Sequence, residues 1–310
     1  MSESYQCKSP VLFLVFNRPE QTAEVFQSIR NAKPSRLYVA ADGPRDGRVG
    51  EAERCCRVRE IALSVDWNCE VKTLFRGKNL GCGKAVSEGI SWFFENEEMG
   101  IVLEDDVLVL PRWLAFADEL LVRYKDDYRI GSISAQSPNL ESRVDQSYWF
   151  SSAFLCWGWA SWRRVWRDFD FEIADEGKGI RDFTSLHRFY YPFEVRWNRV
   201  VERLRNNQVD TWDYRVQLCF FKNKYLSIVP SANAVTNIGF GEDATHTTGS
   251  PESLNAATFQ FTTLEHPSTV LLRKGLDRRL YKEIQKLSWS HALRSLTAKW
   301  IRSFGVKLTR

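Results

Sequence analysis

The apolar positions of the first hundred residues alternate between two periods. Residues 11–16 (VLFLVF), 37–41 (LYVAA), 71–75 (VKTLF) and 101–103 (IVL) read as short strands, the first, second and fourth nearly all apolar. That is the pattern of strands buried on both faces of a parallel sheet. Between them, residues 22–31 place Ala23, Phe26 and Ile29 at helical spacing behind Pro19. Residues 51–65 also read as a helix. Residues 81–96 open on glycines and continue with Ala85, Ile90, Phe93 and Phe94 on one helical stripe. Four strand–helix units in succession predict right-handed crossovers and an α/β fold with a mostly parallel, doubly wound sheet. After Pro111 the pattern predicts a helix over 113–124, a strand over 130–135 and a polar loop over 136–150. An aromatic stretch at 148–166 and an acidic, glycine-containing segment at 168–182 follow. Helices are expected over 188–206 and 214–222, with a strand at 225–230. Residues 236–258, rich in Thr, Gly, Ser and Asn, read as a long loop of the kind that serves as a lid.

Composition narrows the class only a little. The 310 residues are 44% hydrophobic and 26% charged, as in ordinary globular proteins, and 12 are Trp. No apolar run reaches the roughly 20 residues of a membrane span. The N-terminus has no basic segment leading into an apolar one, so no secretory signal is expected. The cysteines are Cys7, Cys55, Cys56, Cys69, Cys82, Cys156 and Cys219, with no CxxC pair among them. Reduced thiols in a cytoplasmic protein fit this better than disulfides or a zinc site.

The net charge of +4 hides an asymmetry: residues 271–310 hold eleven Lys/Arg and two Asp/Glu, leaving the rest of the chain at −5. A boundary is therefore placed near 268. It separates a main domain (1–268, halves 1–110 and 111–268) from a basic α-helical tail (269–310). Leu276, Leu280, Ile284 and Leu287, then Leu293, Leu296, Trp300, Ile301 and Phe304, recur at helical spacing in that tail. Such a helix could lie on an anionic membrane surface, or pack on the body or a second subunit.

The candidate chemistry sits where the strands end. The fourth strand runs into Glu104-Asp105-Asp106, three adjacent carboxylates at the edge where open α/β sheets bind ligands. They repel one another unless a cation joins them, and a hard divalent ion with a phosphate-bearing ligand is the natural partner. Asn17-Arg18 follows the first strand, Asp42-Gly43 the second, and Arg76 and Asn79 the third. Together these ends offer polar groups for a base and ribose, cations for phosphates and carboxylates for a metal. RGKNLGCGKAV fits neither a Walker loop, for Ala85 stands where Ser/Thr is needed, nor the dinucleotide fingerprint, for Val86 replaces its third glycine. What remains is a glycine-lightened turn with Lys84 in its first helical turn, open to either a phosphate or a plain cap.

VLFLVFNRPE, VAADGPR, FRGKNLGCGKAVSEG and GIVLEDDV together resemble the nucleotide-binding half of GT-A glycosyltransferases, a Rossmann-like fold. The Glu-Asp-Asp form, with the later segments, is most similar to the inverting N-acetylglucosaminyltransferase I type and to bacterial family 2-like glycosyltransferases. The resemblance covers residues 11–110 well and 148–250 loosely. It implies that Asp106 binds Mn²⁺ or Mg²⁺, that Asp105 faces the ribose or diphosphate and Glu104 the donor sugar, and that Asp42 contacts uracil. FLCWGWASWRRVW resembles the aromatic loop beside the donor sugar, making Trp157 or Trp159 a stacking platform. VDTWDYRV resembles the segment of the catalytic base: Asp213 is preferred, with Asp210 as competitor or helix cap. His246 resembles a late-loop histidine that reaches the metal or diphosphate, while His187, His266 and His291 have no assigned partner.

The expected activity is metal-dependent transfer, with inversion, of a sugar from a UDP-linked donor to a glycan or lipid-linked glycan. The setting would be cytoplasmic, at the inner face of the membrane, in surface polysaccharide or lipopolysaccharide synthesis. A sugar-nucleotide pyrophosphorylase would need a glycine-rich basic loop after the first strand, where FNRPEQT offers only Arg18. A non-catalytic sugar- or nucleotide-binding protein is the other alternative. Nucleic acid is not an expected partner.

Overall fold

A computed structural model describes residues 5–137, 146–172, 180, 191–239, 259 and 263–285. Four βα units build its first part: β1 (Val11–Val15), α1 (Pro19–Ala32), β2 (Arg36–Ala41), α2 (Glu51–Ala62), β3 (Glu70–Phe75), α3 (Cys82–Asn96) and β4 (Met99–Glu104). The second part adds β5 (Val107–Val109), α4 (Pro111–Arg123), β6 (Ile130–Ser134), β7 (Tyr148–Ser151), β8 (Trp159–Trp162) and the single turn α5 (Arg163–Trp166). It continues with α6 (Tyr191–Arg205), α7 (Asp213–Asn223), β9 (Leu226–Pro230), β10 (Val235–Asn237) and α8 (Lys274–Gln285).

Eight strands form one sheet in the order β3-β2-β1-β4-β8-β6-β9-β7. β1 to β4 are mutually parallel, and β6 and β9 run the same way, so the expected mostly parallel α/β sheet is present. β8 and β7 run against their neighbours. Both lie in the stretch read only as aromatic. All four residues of each strand are buried, so neither shows the alternation that marks a half-exposed antiparallel strand.

The chain steps outward from β1 to β3 and then crosses back to β4. The crevice between β1 and β4 is therefore a topological switch point, where ligands settle in open sheets. The core fills both faces of β1 and β4, whose residues from Val11 to Val15 and from Gly100 to Leu103 are all buried. β5 leaves the main sheet and pairs with β10 as a two-stranded ribbon, which brings residues 235–239 back to the end of β4.

The basic tail is described as far as Gln285. Its first part, α8, docks on the body. Leu280 and Tyr281 are wholly buried against Phe193, Trp197 and Phe221, with Leu276 and Ile284 packed alongside. Asp277, also buried, accepts hydrogen bonds from the Ser151 hydroxyl (2.5 Å), the Ser152 N–H (2.9 Å) and the Ser152 hydroxyl (2.7 Å). Residues 274–285 thus pack on the body, across the boundary expected near 268. The stripe Leu276–Leu280–Ile284 is spent on internal packing, not on a membrane. Leu293 to Phe304 lie outside the described residues. No described helix is long and apolar enough to cross a membrane, and all seven cysteines are free thiols.

Candidate functional site

At the end of β4 the strand leaves the core with three carboxylates in a row. Asp105 turns under β1, where its Oδ2 accepts the Phe16 N–H at 3.1 Å. Asp106 faces Arg18, whose Nη1 lies 2.9 Å from Asp106 Oδ2 and 4.0 Å from Asp105 Oδ1. Glu104 feels the charges of Asp106, Asp105 and Asp213, the last supplied by the first residue of α7. Burial pushes the Glu104 carboxyl well above its ordinary range, and the neighbouring carboxylates add to the rise. Burial also raises Asp105 to about 7, with Asp106 adding and Arg18 opposing. Asp106 is raised by burial too, against the pull of Arg18 and of a hydrogen bond from Asn237. Three adjacent carboxyl groups and one guanidinium thus share a half-buried edge, and the charge of Asp213 reaches Glu104 from α7.

The β5–β10 ribbon closes over this cluster. The Ile238 N–H donates to the Asp106 carbonyl at 2.8 Å. A Cβ on Gly239 would stand 2.1 Å from Asp106 Oδ2, so only glycine passes there. The described start of the segment read as a lid, residues 236–239, therefore lies against Asp106. His246 lies in its continuation, outside the described residues.

Asp42, at the end of β2, is filled from within. Its carboxylate accepts from the Gly43 N–H (2.9 Å), Asn79 Nδ2 (2.9 Å), the Leu80 N–H (3.0 Å) and the Gly81 N–H (3.2 Å). Burial still holds its pKa above the ordinary value. A base contact at Asp42 would have to displace one of these donors. Asn79 also donates to the Gly43 carbonyl at 2.8 Å, so it too serves the clip.

The glycine-lightened turn resolves the same way. The N–H groups of Cys82 and Gly83 open α3 and point at Asp210, meeting its Oδ2 at 2.8 Å and its Oδ1 at 2.7 Å. Added Cβ atoms on Gly81 and Gly83 would come within 2.4 and 2.6 Å of that carboxylate. These glycines accommodate an internal carboxylate, and Asp210 is a helix cap, though of a helix 127 residues away in sequence. The phosphate reading of this turn loses the N–H donors of residues 80–83.

The remaining expected donor contacts scatter. Arg76 pairs with Glu88 at 2.7 Å, and the more exposed Lys84 lies 3.9 Å from the same carboxylate. Asn17 donates to Glu51 at 3.0 Å. Trp159, on β8, is 2% exposed and packs between Phe154, Trp166 and Trp212, leaving no ring face for a pyranose. Trp157 is half-buried in the loop just before β8, at the same edge as Glu104 because β8 runs antiparallel to β4.

Two thiols line the cluster and were not anticipated. Cys82 and Cys156 each feel the charges of Glu104, Asp106 and Asp213. Burial first, then those carboxylates, pushes both thiols far up, so they are held neutral and are poor nucleophiles. Asn237 and Gly239 were missed as well. The sequence signal that exists is the Asn-Ile-Gly triplet following a β-prone pair, and nothing local ties it to Asp106.

For a metal, the available donors are hard oxygens, of the type Mg²⁺ and Mn²⁺ take. Among the described residues no three His, Cys, Asp or Glu side chains converge as a preformed cage. The donor set suits an ion held by one or two carboxylates and completed by substrate phosphates.

No protein-family model matches the chain, and no curated protein resembles it in sequence. Solved structures give low-scoring superpositions. HddC from Yersinia pseudotuberculosis aligns at 10% identity over 55% of this chain and 86% of that one, with a TM-score of 0.32. A UDP-glucose pyrophosphorylase complexed with UDP-glucose aligns at 11% over 52% and 78%, TM-score 0.31. The glycosyltransferase GlyE of Streptococcus pneumoniae TIGR4 aligns at 13% over 72% and 45%, TM-score 0.34. Likenesses this weak add nothing to what the strand order itself establishes.

Proposed function

We propose that the chain is a metal-dependent GT-A glycosyltransferase that moves a sugar, with inversion, from a UDP-linked donor to a glycan or lipid-linked glycan. One observation carries the reading: the charge of Asp213, at the start of α7, reaches Glu104 at the end of β4, so a carboxylate from a different element bears on the switch-point crevice. Inverting transfer needs that division, with one carboxylate to take the acceptor proton and a separate set to hold the donor.

In this reading Asp106 would hold Mn²⁺ or Mg²⁺ together with diphosphate oxygens, trading its contact with Arg18. The bound ion supplies charge compensation for the leaving diphosphate. Arg18, 17% exposed and already within reach of Asp105 and Asp106, then turns to the phosphates. Glu104 orients the donor sugar through a hydroxyl, and Asp105 fixes the strand end through Phe16. Asp213, at the N-terminus of α7, removes the proton from the attacking hydroxyl, assisted in orientation by the Thr211 hydroxyl that donates to it.

The test is UDP release from a panel of UDP-hexoses with and without Mn²⁺, on the full chain and on Asp213→Asn. Turnover should require Mn²⁺ and fall at least about a hundredfold in the variant, with UDP binding preserved. Failure of every donor to bind in the presence of metal overturns the function. Unchanged turnover in Asp213→Asn overturns the base assignment. Pyrophosphate-dependent nucleotide exchange in place of sugar transfer would identify a pyrophosphorylase-like nucleotidyltransferase, and binding without turnover a non-catalytic protein.

A further inference from the structure

Four successive backbone N–H groups, those of residues 80 to 83, are taken up by two carboxylates from distant parts of the chain. Asp42 at the end of β2 accepts from Leu80 and Gly81. Asp210, before α7, accepts from Cys82 and Gly83. The turn between β3 and α3 is therefore a clasp. One half belongs to the sheet that carries the carboxylate cluster, the other to the segment that carries Asp213.

Asp210 is largely exposed, yet both of its oxygens are engaged at 2.8 and 2.7 Å. Glycine at 81 and 83 is what lets it approach. Two residues on, Trp212 is 3% exposed and stacks on Trp159 at 5.9 Å. Asp213 follows at the first position of α7. The next turn of that helix is splinted by Gln217, which donates to the Ser152 carbonyl at 2.9 Å and accepts the Phe154 N–H at 2.7 Å. Asp213 and Gln217 lie four residues apart, on one face of α7. The helix is thus fixed from below by Gln217 and from above by the Asp210 clasp. Trp212 supplies an apolar pivot between the two, one that fixes depth but, lacking a directed bond, less so rotation.

We infer that Asp210 is a positioning residue for the proposed base, fixing the start of α7, and with it Asp213, by capping α3. This rests on the reading of Asp213 given above. It also reassigns the glycine-rich turn, whose amides serve two internal carboxylates and not a phosphate. Displacing a reacting group by about 1 Å can cost roughly a hundredfold in rate, so loss of the clasp should appear in kcat and not in donor affinity.

The experiment compares Asp210→Ala, Asp210→Asn, Asp213→Asn and the double variant Asp210→Ala/Asp213→Asn in UDP release from UDP-glucose, UDP-galactose and UDP-N-acetylglucosamine with Mn²⁺. Backbone amide exchange is measured on the wild type and Asp210→Ala. Asp210→Ala should lower kcat about ten- to a hundredfold with the donor KM within about twofold, and Asp210→Asn, which keeps one acceptor oxygen, should lose less. In the double variant, kcat should equal that of Asp213→Asn alone, because a misplaced base that is already gone cannot be lost twice. The amides of Cys82 and Gly83 should exchange at least about tenfold faster without Asp210, while those of Leu80 and Gly81 stay protected. Multiplicative losses in the double variant, a raised donor KM at constant kcat, or unchanged exchange at Cys82 and Gly83 would each overturn the inference. Absence of UDP release from the wild type with every donor overturns the proposed function instead, and the exchange measurement still decides the clasp.

Discussion

Glu51 is wholly buried at the start of α2, yet it is a carboxylate, and the loops around the crevice converge on it. It accepts from the Arg45 N–H at 2.7 Å, from Arg45 Nε at 3.0 Å, from Arg45 Nη2 at 2.5 Å and from Asn17 Nδ2 at 3.0 Å. The Arg45 guanidinium also lies 5.5 Å from the Phe16 ring. One side chain thereby ties the ends of β1 and β2 to α2. The Arg45 hydrogen bonds, outweighing burial, bring its pKa from the ordinary 4.5 down to about 2. That drop corresponds to at most about 3 kcal/mol of stability. Arg45 is 44% exposed, so solvent screening brings the figure nearer 1–2 kcal/mol.

The sign follows from the direction of the shift. A carboxyl with a depressed folded pKa stabilises the fold fully above its unfolded pKa, and the contribution is lost as pH falls from about 4.5 toward about 2. Glu51→Gln removes the charge and turns an amide N–H₂ toward the donors of Arg45. It should cost roughly 2–4 kcal/mol at pH 7. Urea denaturation of wild type and variant, in steps from pH 7 to pH 3, reads both quantities. The gap between the two should be constant down to about pH 5 and narrow by roughly half by pH 3. A gap that stays constant to pH 3 would refute the ionised, Arg45-paired state of Glu51.

Trp159→Phe should cost less than an ordinary core truncation, below about 1.5 kcal/mol, because it also removes an indole N–H that has no hydrogen-bond partner in the core. The donor KM should not change; a tenfold rise at unaltered stability would return Trp159 to the sugar-stacking role. Gly81→Ala meets both a φ of +84° and the Asp210 carboxylate, and should destabilise by about 1–3 kcal/mol, whereas Gly77→Ala, with open space around it, should be neutral by thermal unfolding.

The order of strands and helices through β4 was legible because each element there is local and carries its own apolar period. The cluster of strand ends was legible for the same reason: parallel strands place their C-termini on one edge whatever the rest of the chain does. The insertion of β8 between β4 and β6 was not. WASW is buried on both faces, and its partner Met99–Val102 lies about sixty residues upstream. Trp159 illustrates the cost. A tryptophan beside a glycine reads equally as a sugar platform or as core, and only the neighbours Trp166 and Trp212 decide. Likewise Leu276, Leu280 and Ile284 carry the period of an amphipathic helix, which cannot say whether lipid, a partner or the Phe193–Phe221 surface covers it.

The glycine-rich turn shows why a motif and its ligand are separate questions. Backbone N–H groups at a helix start attract any anion, and their geometry is the same whether a phosphate or a carboxylate arrives. Here Asp42 and Asp210 hold all four amides from 80 to 83. A diphosphate at the crevice would therefore meet side-chain charge before backbone dipoles. Of the cations at the strand ends, Arg76 and Lys84 share Glu88, while Arg18 faces Asp105 and Asp106 directly. Among the described residues Arg18 is the guanidinium that faces Glu104, Asp105 and Asp106, so the edge offers more carboxyl groups than cations before a dianionic diphosphate arrives. Bringing that anion to an acidic edge without a further cation would place like charges within a few ångströms in a half-buried site. The proposal that the donor binds at the carboxylate cluster therefore carries with it a divalent ion bound alongside the nucleotide, since the amides of residues 80–83 are already taken.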